Sequence, residues 1–285
     1  MIGRRRFLQV AAAAAISGPF RRAEAAEWRG TALGADVSLR LTGPNAAATL
    51  ADLPFLLARI EGTFSLHAPS ELRRINTAGR GVPSDWMARA LSLCDLVHDL
   101  SGGLFDPTVQ PLWRALAEGG DATAAMATIG WHKVKRGPGG LQLGAGQALT
   151  LNGLAQGLAA DLVREWLVDR GFTQAVVDMG ETAALGGPFR IGLDDLGDVT
   201  LRNTALAVSA PDQLLVGGQS HILHPQGGRP RWSLVAVEAD SAAMADALST
   251  ALALADATTA RALRMREPGI RRVWLGDPAG GIFPL

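Results

Sequence analysis

The chain has 285 residues, of which 48% are hydrophobic and 19% are charged, and this composition excludes a disordered or fibrous protein. Its 27 basic and 27 acidic residues give a formal net charge of zero, which argues against a nucleic-acid-binding protein because such proteins need a basic face. The one cysteine, Cys94, excludes an internal disulfide framework and a zinc site of the CxxC type.

The first 25 residues have the pattern of an export signal. Adjacent arginines at 4–6 precede a short, alanine-rich apolar run, and Ala23-Glu24-Ala25 matches a small-residue cleavage site. Paired arginines followed by Phe7-Leu8 resemble a twin-arginine signal. The alternatives are an ordinary secretory signal and an uncleaved anchor. We expect residues 1–25 to direct export and residues 26–285 to form a mature protein without a membrane-spanning helix.

The hydrophobic pattern of the mature chain predicts alternating groups of strands and helices. In chain order these are a strand pair within 28–41, helices over 46–62, 70–76 and 84–100, a helix that ends at Gly119-Gly120, small strands within 131–151, a helix over 154–170, strands at 175–177, 189–193, 199–202, 205–209 and 232–238, helices through 255 and near 256–266, and a strand over 270–275. Ser70 is expected to cap its helix, and Asp240 or Ser241 the helix that runs through Ala255. Helices mixed with hairpin-linked strands favour one α+β domain with a mixed, mostly antiparallel sheet and flanking helices.

The familiar short motifs of nucleotide-binding proteins, serine hydrolases and zinc proteases are absent, and four weaker clusters are left. The first is Asp246 and Thr250, which share one face of a helix because they are four residues apart. A carboxylate and a hydroxyl are hard oxygen ligands that suit Mg²⁺. The alternative is a solvated aspartate and a threonine bonded to the backbone one turn back.

The second cluster is the segment 151–157, in which a predicted strand runs into a helix through Gly153. Backbone groups at such a turn can face a phosphate or a metal, or the turn can be a plain connection. The third cluster is His221-x-x-His224. Residues three apart in an extended segment point to opposite faces, which disfavours a zinc pair, so a single histidine could act as an acid or base or be structural.

The fourth cluster is the segment 102–108, in which a glycine pair is followed by Phe105-Asp106-Pro107-Thr108. Its plain explanation is that the glycines end one helix and Asp106 caps the next.

The order of these clusters resembles that of the ApbE family of FAD:protein FMN transferases over roughly residues 28–265. The matching segments are Phe64-Ser65, Ser70 to Asn76, Gly103 to Leu112, Gly153 to Asp161, Val177 to Glu181, Ser209, His221 to Pro225, and Ala245 to Ala251.

The resemblance implies an exported, periplasmic enzyme that binds FAD and Mg²⁺, cleaves the pyrophosphate, attaches FMN to a Thr or Ser hydroxyl of a partner flavoprotein and releases AMP. It implies three groups of site residues: Gly153 (through its carbonyl), Asp246 and Thr250 for Mg²⁺; Leu33, His67, Leu104, Phe105, Asp106, Thr150 and Gln156 for FAD; and His221 both for contact with FAD and for the proton of the acceptor hydroxyl.

Several positions depart from the family pattern. Gln156 stands where the family has lysine, Thr150 where it has aspartate, and His67 where it has tyrosine. These departures leave two alternatives open: a periplasmic protein that binds or hydrolyses FAD without transferring FMN, and a non-catalytic factor for the maturation of a respiratory complex.

Overall fold

The computed structural model describes residues 10–11, 24–193 and 196–285. Most of the predicted export signal therefore lies outside the described residues, and the prediction that residues 1–25 direct export stays a prediction.

The described residues form eight α-helices. They are α1 Ala46–Phe64, α2 Glu71–Ala78, α3 Asp85–Leu100, α4 Gln110–Glu118, α5 Ala122–Thr128, α6 Ala155–Asp169, α7 Ala242–Leu252 and α8 Ala257–Arg266. Ser70 caps α2 and Ser241 caps α7, because each hydroxyl accepts a hydrogen bond from the N–H three residues on. The sequence did not predict α5, a short helix in which no residue is fully buried. Within the described part of the chain, no helix has the length and hydrophobicity needed to cross a bilayer.

The same ranges contain sixteen strands, several of them very short. They are β1 Val10–Ala11, β2 Ala25–Ala32, β3 Ala35–Thr42, β4 Arg80–Gly81, β5 Lys135–Gly137, β6 Gly140–Gln142, β7 Gln174–Asp178, β8 Thr182–Leu185, β9 Phe189–Leu193, β10 Gly197–Leu201, β11 Ala205–Ser209, β12 Leu215–Val216, β13 Gln219–Ser220, β14 Leu234–Ala239, β15 Ile270–Gly276 and β16 Ile282–Pro284. The sequence did not predict β8, β16 or the two-residue strands β4, β12 and β13.

The main sheet has eight strands in the order β16-β15-β14-β11-β8-β7-β3-β2, and its neighbouring strands pair antiparallel. Alternate residues of one strand serve two cores: Ala175 and Val177 of β7 join the large core under α1, α6 and α7, while Val176 joins a small core with Ile191 of β9. This arrangement confirms the predicted α+β fold.

Helices α6 and α7 are fixed to each other at the start of α7. The buried carboxylate of Asp161 accepts hydrogen bonds from Ser241 Oγ and from the backbone N–H groups of Ala242 and Ala243, at 2.7 to 3.0 Å. A Cβ added to Gly157 would lie 2.2 Å from the carbonyl oxygen of Ala242, so only glycine allows this approach. These contacts at the start of α7 therefore fix its position against α6, and with it the position of Asp246 further along the helix.

The prediction that a strand leads into α6 is wrong. Residues 147–154 form an irregular segment and a turn instead. The Leu149 N–H donates to Asn76 Oδ1 and the Leu149 carbonyl accepts from Asn76 Nδ2, while the Thr150 N–H donates to the Pro107 carbonyl. The alternation of Leu149 and Leu151 predicted a strand, and both side chains are indeed fully buried. A distant side chain and a loop supply the hydrogen bonds that a sheet would otherwise provide.

Candidate active site

One cleft with a volume of about 410 Å³ brings together most of the predicted site residues. Its lining includes Leu104, Phe105, Asp106, Thr150, Gly153, Gln156, His221, Asp246 and Thr250. These residues come from the loop after α3, the segment before α6 and its first turn, the segment after β13, and helix α7. Clusters that are distant in sequence thus face one space.

Leu33 and His67 do not line this cleft. Leu33 lies in the turn between β2 and β3 with a positive φ of 50°, and its N–H donates to Glu61 at 2.9 Å. His67 is exposed in the connection between α1 and α2, where its N–H donates to Ser65 Oγ at 3.1 Å.

Asp246 has a buried carboxylate at the cleft wall, with 4% of the residue exposed. Its Oδ2 accepts a hydrogen bond from the Gly157 N–H at 3.0 Å, and no other described residue bonds to the carboxylate. Burial raises the pKa of Asp246 to about 7, although the Gly157 hydrogen bond acts in the opposite direction. The alternative of a solvated aspartate is therefore wrong.

Thr250 lies one helical turn after Asp246 and also faces the cleft. The backbone carbonyl one turn back, that of Asp246, accepts a hydrogen bond from Ser249 Oγ at 2.9 Å and not from Thr250. The Thr250 hydroxyl makes no hydrogen bond to a described residue. A Cβ added to Gly153 would lie 3.0 Å from Thr250 Oγ1, so the Gly153 backbone approaches this hydroxyl closely.

These three residues suit a magnesium ion. An ionised carboxylate at this depth is costly unless a cation pairs with it, and one of its oxygens and the Thr250 hydroxyl have no protein partner among the described residues. Hard oxygen donors of this kind are preferred by Mg²⁺. The described residues form no cluster of three or more His, Cys, Asp or Glu side chains, so hydroxyl, carbonyl and water oxygens would complete the coordination.

The side chain of Asp106 is occupied within the loop that carries it. Its Oδ1 accepts hydrogen bonds from the N–H and the hydroxyl of Thr108, and its Oδ2 accepts from the Trp131 N–H. Asp106 caps the short 3-10 turn Pro107–Val109, which leads into α4, rather than α4 itself. The carboxylate thereby shapes the turn that presents Leu104 and Phe105 to the cleft.

The described residues that line the cleft include no arginine or lysine, and their carboxylates are those of Asp106, Glu181 and Asp246. Gln156 places a neutral amide there, packed on the backbone of Gly180: a Cβ at Gly180 would lie 2.8 Å from Gln156 Oε1. Gly180 has a positive φ of 95°, so glycine also meets the backbone requirement.

His221 lies at the same cleft with a defined tautomer. Its Nδ1 is 3.2 Å from the Leu214 carbonyl oxygen, which also accepts the His221 backbone N–H at 3.1 Å. A carbonyl oxygen only accepts hydrogen bonds, so Nδ1 carries the proton and neutral His221 has Nε2 as its acceptor. His224 is outside the cleft lining, and its Nδ1 accepts the Gln226 N–H at 3.1 Å. Burial, and to a smaller extent Arg231, lowers the pKa of His224.

Several lining residues were not among the predicted site residues. Glu181 accepts the Val208 N–H at 3.0 Å, and Ser209 Oγ lies 2.8 Å from Ser249 Oγ. Glu181 and Ser209 lie in segments that matched the family pattern, and this match was the sequence signal that could have identified them as site residues. Trp113, Val208 and Leu254 add apolar surface to the cleft, and nothing in their local sequence distinguishes them from ordinary core residues.

The sequence model of the ApbE family matches residues 33–274. The chain belongs to the ApbE family. The matched range contains every predicted site residue, and the resemblance inferred from the sequence is confirmed. A comparison with curated proteins finds no match.

Solved structures of ApbE proteins have the same fold. The chain is similar to the flavin transferase ApbE of Vibrio cholerae, with 21% identity, a TM-score of 0.79, and coverage of 92% of this chain and 97% of that one. For the apo flavinyl transferase ApbE of Pseudomonas stutzeri the values are 22%, 0.81, 94% and 97%. For the ApbE protein of Thermotoga maritima they are 24%, 0.79, 91% and 96%. At these identities the likeness concerns the fold.

Proposed function

We propose that this ApbE protein transfers FMN from FAD to a Thr or Ser hydroxyl of a partner flavoprotein, releases AMP, and depends on Mg²⁺. The observation that carries the proposal is the meeting of Asp246, Thr250 and Gly153 in the cleft that His221 also lines. The structures from Vibrio cholerae and Pseudomonas stutzeri are named as flavin and flavinyl transferases, which supports the same class of reaction.

The reaction needs one proton acceptor from the protein. The acceptor hydroxyl oxygen attacks the phosphorus of the FMN half of FAD, and the bond from that phosphorus to the bridging oxygen breaks. The bridging oxygen leaves with AMP. The hydroxyl proton passes to Nε2 of His221. This nitrogen is available to accept it because Nδ1 is the nitrogen that bonds to the Leu214 carbonyl.

Cleavage of a pyrophosphate depends mainly on positioning and on neutralisation of charge. Asp246, Thr250 and the Gly153 carbonyl would hold Mg²⁺, which when bound would neutralise pyrophosphate oxygens. This contribution matters more here than in a cleft with a lysine, because Gln156 is neutral and the lining has no arginine or lysine.

The flavin ring needs an apolar slot with a few polar groups. Leu104, Phe105, Trp113 and Leu254 supply apolar surface around the cleft. Asp106 fixes the turn that holds the first two of these residues.

We also propose export to the periplasm through residues 1–25, on the basis of the twin-arginine pattern alone. Cell fractionation and determination of the N-terminal residue of the exported protein test this proposal. Export that continues after Arg4 and Arg5 are both replaced by lysine would contradict the twin-arginine route.

The test of the transfer reaction uses the purified chain, FAD, Mg²⁺ and candidate acceptor flavoproteins. Transfer predicts an acceptor whose mass increases by one FMN, together with an equal amount of AMP. AMP without labelling of any acceptor would favour the FAD-hydrolysing alternative. The absence of FAD binding in a flavin fluorescence titration would favour the non-catalytic maturation factor.

A further inference from the structure

A second pocket of about 240 Å³ adjoins the proposed FMN-transfer cleft. Ile222 and Leu223, directly after His221, line both cavities. The second pocket contains what the cleft lacks, because Arg229 and Arg231 are part of its lining. Among the described residues that line this pocket, Asp212 is the carboxylate, and the remaining side chains are neutral.

The β12–β13 hairpin lines the second pocket and exposes apolar surface. Leu215 pairs with Ser220, and the turn is made by Gly217 and Gly218, both with positive φ. Leu214 and Leu215 are 53% and 58% exposed. Leu214 lines the cleft and Leu215 lines the second pocket, so neighbouring leucines mark both sides of the rim. These two leucines offer exposed apolar surface to another molecule beside both cavities.

The charge of the second pocket favours a negatively charged occupant. Arg229 is exposed, and it forms no hydrogen bond or ion pair with the residues that the structure describes. Arg231 is near Asp256, whose pKa it helps to lower, and near His224. Arg231 already has Asp256 beside it, so Arg229 is the cation that is available to an acidic side chain.

We propose that the hairpin rim is the docking surface for the acceptor polypeptide. An apolar side chain of the acceptor packs on Leu215, and a carboxylate of the same segment enters the second pocket beside Arg229. The segment then crosses Ile222 and Leu223 and presents its hydroxyl to His221. The proposal rests on the proposed transfer function, because that function requires a partner chain to reach the cleft.

The test measures binding separately from transfer. Fluorescein-labelled short peptides carry one central Thr and one Leu, and one Asp is placed at each neighbouring position in turn; a second set has Lys in place of Asp. Fluorescence anisotropy with the full chain and FAD gives the affinities. At the preferred position, the Asp peptide is expected to bind about fivefold more tightly than its Lys counterpart, the size typical of a partly exposed charge pair.

Two variants and two matched controls assign the effect to the rim. Arg229→Glu is expected to reverse the preference for Asp over Lys, and Leu215→Ser to weaken both peptides. Arg80→Glu and Leu96→Ser change an exposed arginine and an exposed leucine outside both cavities, and neither is expected to alter binding.

Equal binding of the Asp and Lys peptides, no binding of any peptide, or an unchanged preference in Arg229→Glu would overturn the docking proposal. Mass spectrometry of the same mixtures tests transfer independently. Peptides that bind with the expected preference but never gain FMN would count against the transfer function and leave the docking surface in place.

Discussion

Nδ1 of His221 lies 3.2 Å from the carbonyl oxygen of Leu214, seven residues earlier in the chain. The contact spans the β12–β13 hairpin, so the hairpin fixes the orientation of the ring. Since the carbonyl oxygen can only accept a hydrogen bond, Nδ1 carries the proton and Nε2 is the nitrogen available to an incoming hydroxyl.

Replacing His221 with asparagine tests this role. The Asn amide can still donate to Leu214, but it has no nitrogen that accepts a proton. Transfer to an acceptor hydroxyl is expected to fall about 10²- to 10⁴-fold, the usual contribution of a general base. FAD affinity, measured by quenching of flavin fluorescence, is expected to change far less. A transfer rate equal to that of the unaltered chain would show that another group takes the proton.

Asp246→Asn should separate the cation from the fold. An amide oxygen can still accept the Gly157 hydrogen bond, but it cannot pair with Mg²⁺ as a carboxylate does. We expect AMP release to fall about 100-fold or more, since removal of a charge-stabilising group costs this much in other enzymes. Thermal unfolding in EDTA is expected at the same or a higher temperature, because a buried charge is lost. Full activity in this variant would make the cation assignment wrong.

Asp178 is expected to make stability depend on pH. Burial raises its pKa from 3.8 to about 6, with a smaller contribution from Asp36. A carboxyl group with a raised folded-state pKa favours the folded state least when it is ionised, so stability should fall as pH rises from about 4 to about 6. Asp178→Asn keeps an acceptor for the Gly180 N–H and should gain up to about 3 kcal/mol in unfolding free energy at neutral pH, with little gain at pH about 4.

Urea unfolding at several pH values in EDTA checks this dependence. Asp256→Ala is the control with opposite sign: the Thr259 hydrogen bond lowers the pKa of Asp256, so its stabilising effect is lost as pH falls. A gain from Asp178→Asn that is the same at pH about 4 and at neutral pH would contradict the assignment.

Gln156→Lys should reduce the dependence of FAD binding on magnesium. The substitution places a cation in a lining that has neither arginine nor lysine. We expect FAD affinity in EDTA to increase about tenfold, the effect of about 1.4 kcal/mol from one charge-assisted hydrogen bond to phosphate. Titrations of flavin fluorescence with and without Mg²⁺ measure the change. Gln213→Lys adds the same charge elsewhere in the lining, and an equal gain there would show that position 156 is not special.

Gly157→Ala should destabilise the whole domain. The added Cβ would lie 2.2 Å from the Ala242 carbonyl oxygen and 2.8 Å from Asp246 Cβ, so α6 and α7 would have to move apart. We expect a loss of about 2–4 kcal/mol in unfolding free energy and weaker Mg²⁺ binding. Gly62→Ala in α1 is the matched control, since its Cβ would have no neighbour within 4 Å. Ala is the better helix former there and should raise stability by up to about 1 kcal/mol. Equal stability of the two variants would contradict the close contact.

The regular elements were largely predictable because their signals are local. The alternation of Val37, Leu39 and Leu41 predicted a strand with one buried face, and Ser70 and Ser241 marked helix starts through a chemistry that involves only the next turn. Strands 189–193 and 205–209 were predicted with the bounds that β9 and β11 have. Elements without such signals were missed, as α5 and β16 show.

The site was less accessible to sequence reasoning because its neighbours are distant in the chain. Asp246 and Thr250 could be paired by helical spacing, but their burial depends on α6, and the Gly153 contact depends on a turn whose preceding segment was predicted as a strand and is irregular. The hydrogen bonds of Leu149 to Asn76 cross 73 residues, and no local pattern indicates them. The absence of arginine and lysine from the cleft also became visible only when its walls were assembled.

The bonds of Asp161 to the start of α7 have a consequence for how this enzyme family can diversify. They tie Asp246 and Thr250, the proposed ligands of Mg²⁺, to α6, whereas His221 and the exposed leucines lie in and beside the β12–β13 hairpin. If the proposed function holds, substitutions at the hairpin alter the choice of partner while the contacts between α6 and α7 stay unchanged.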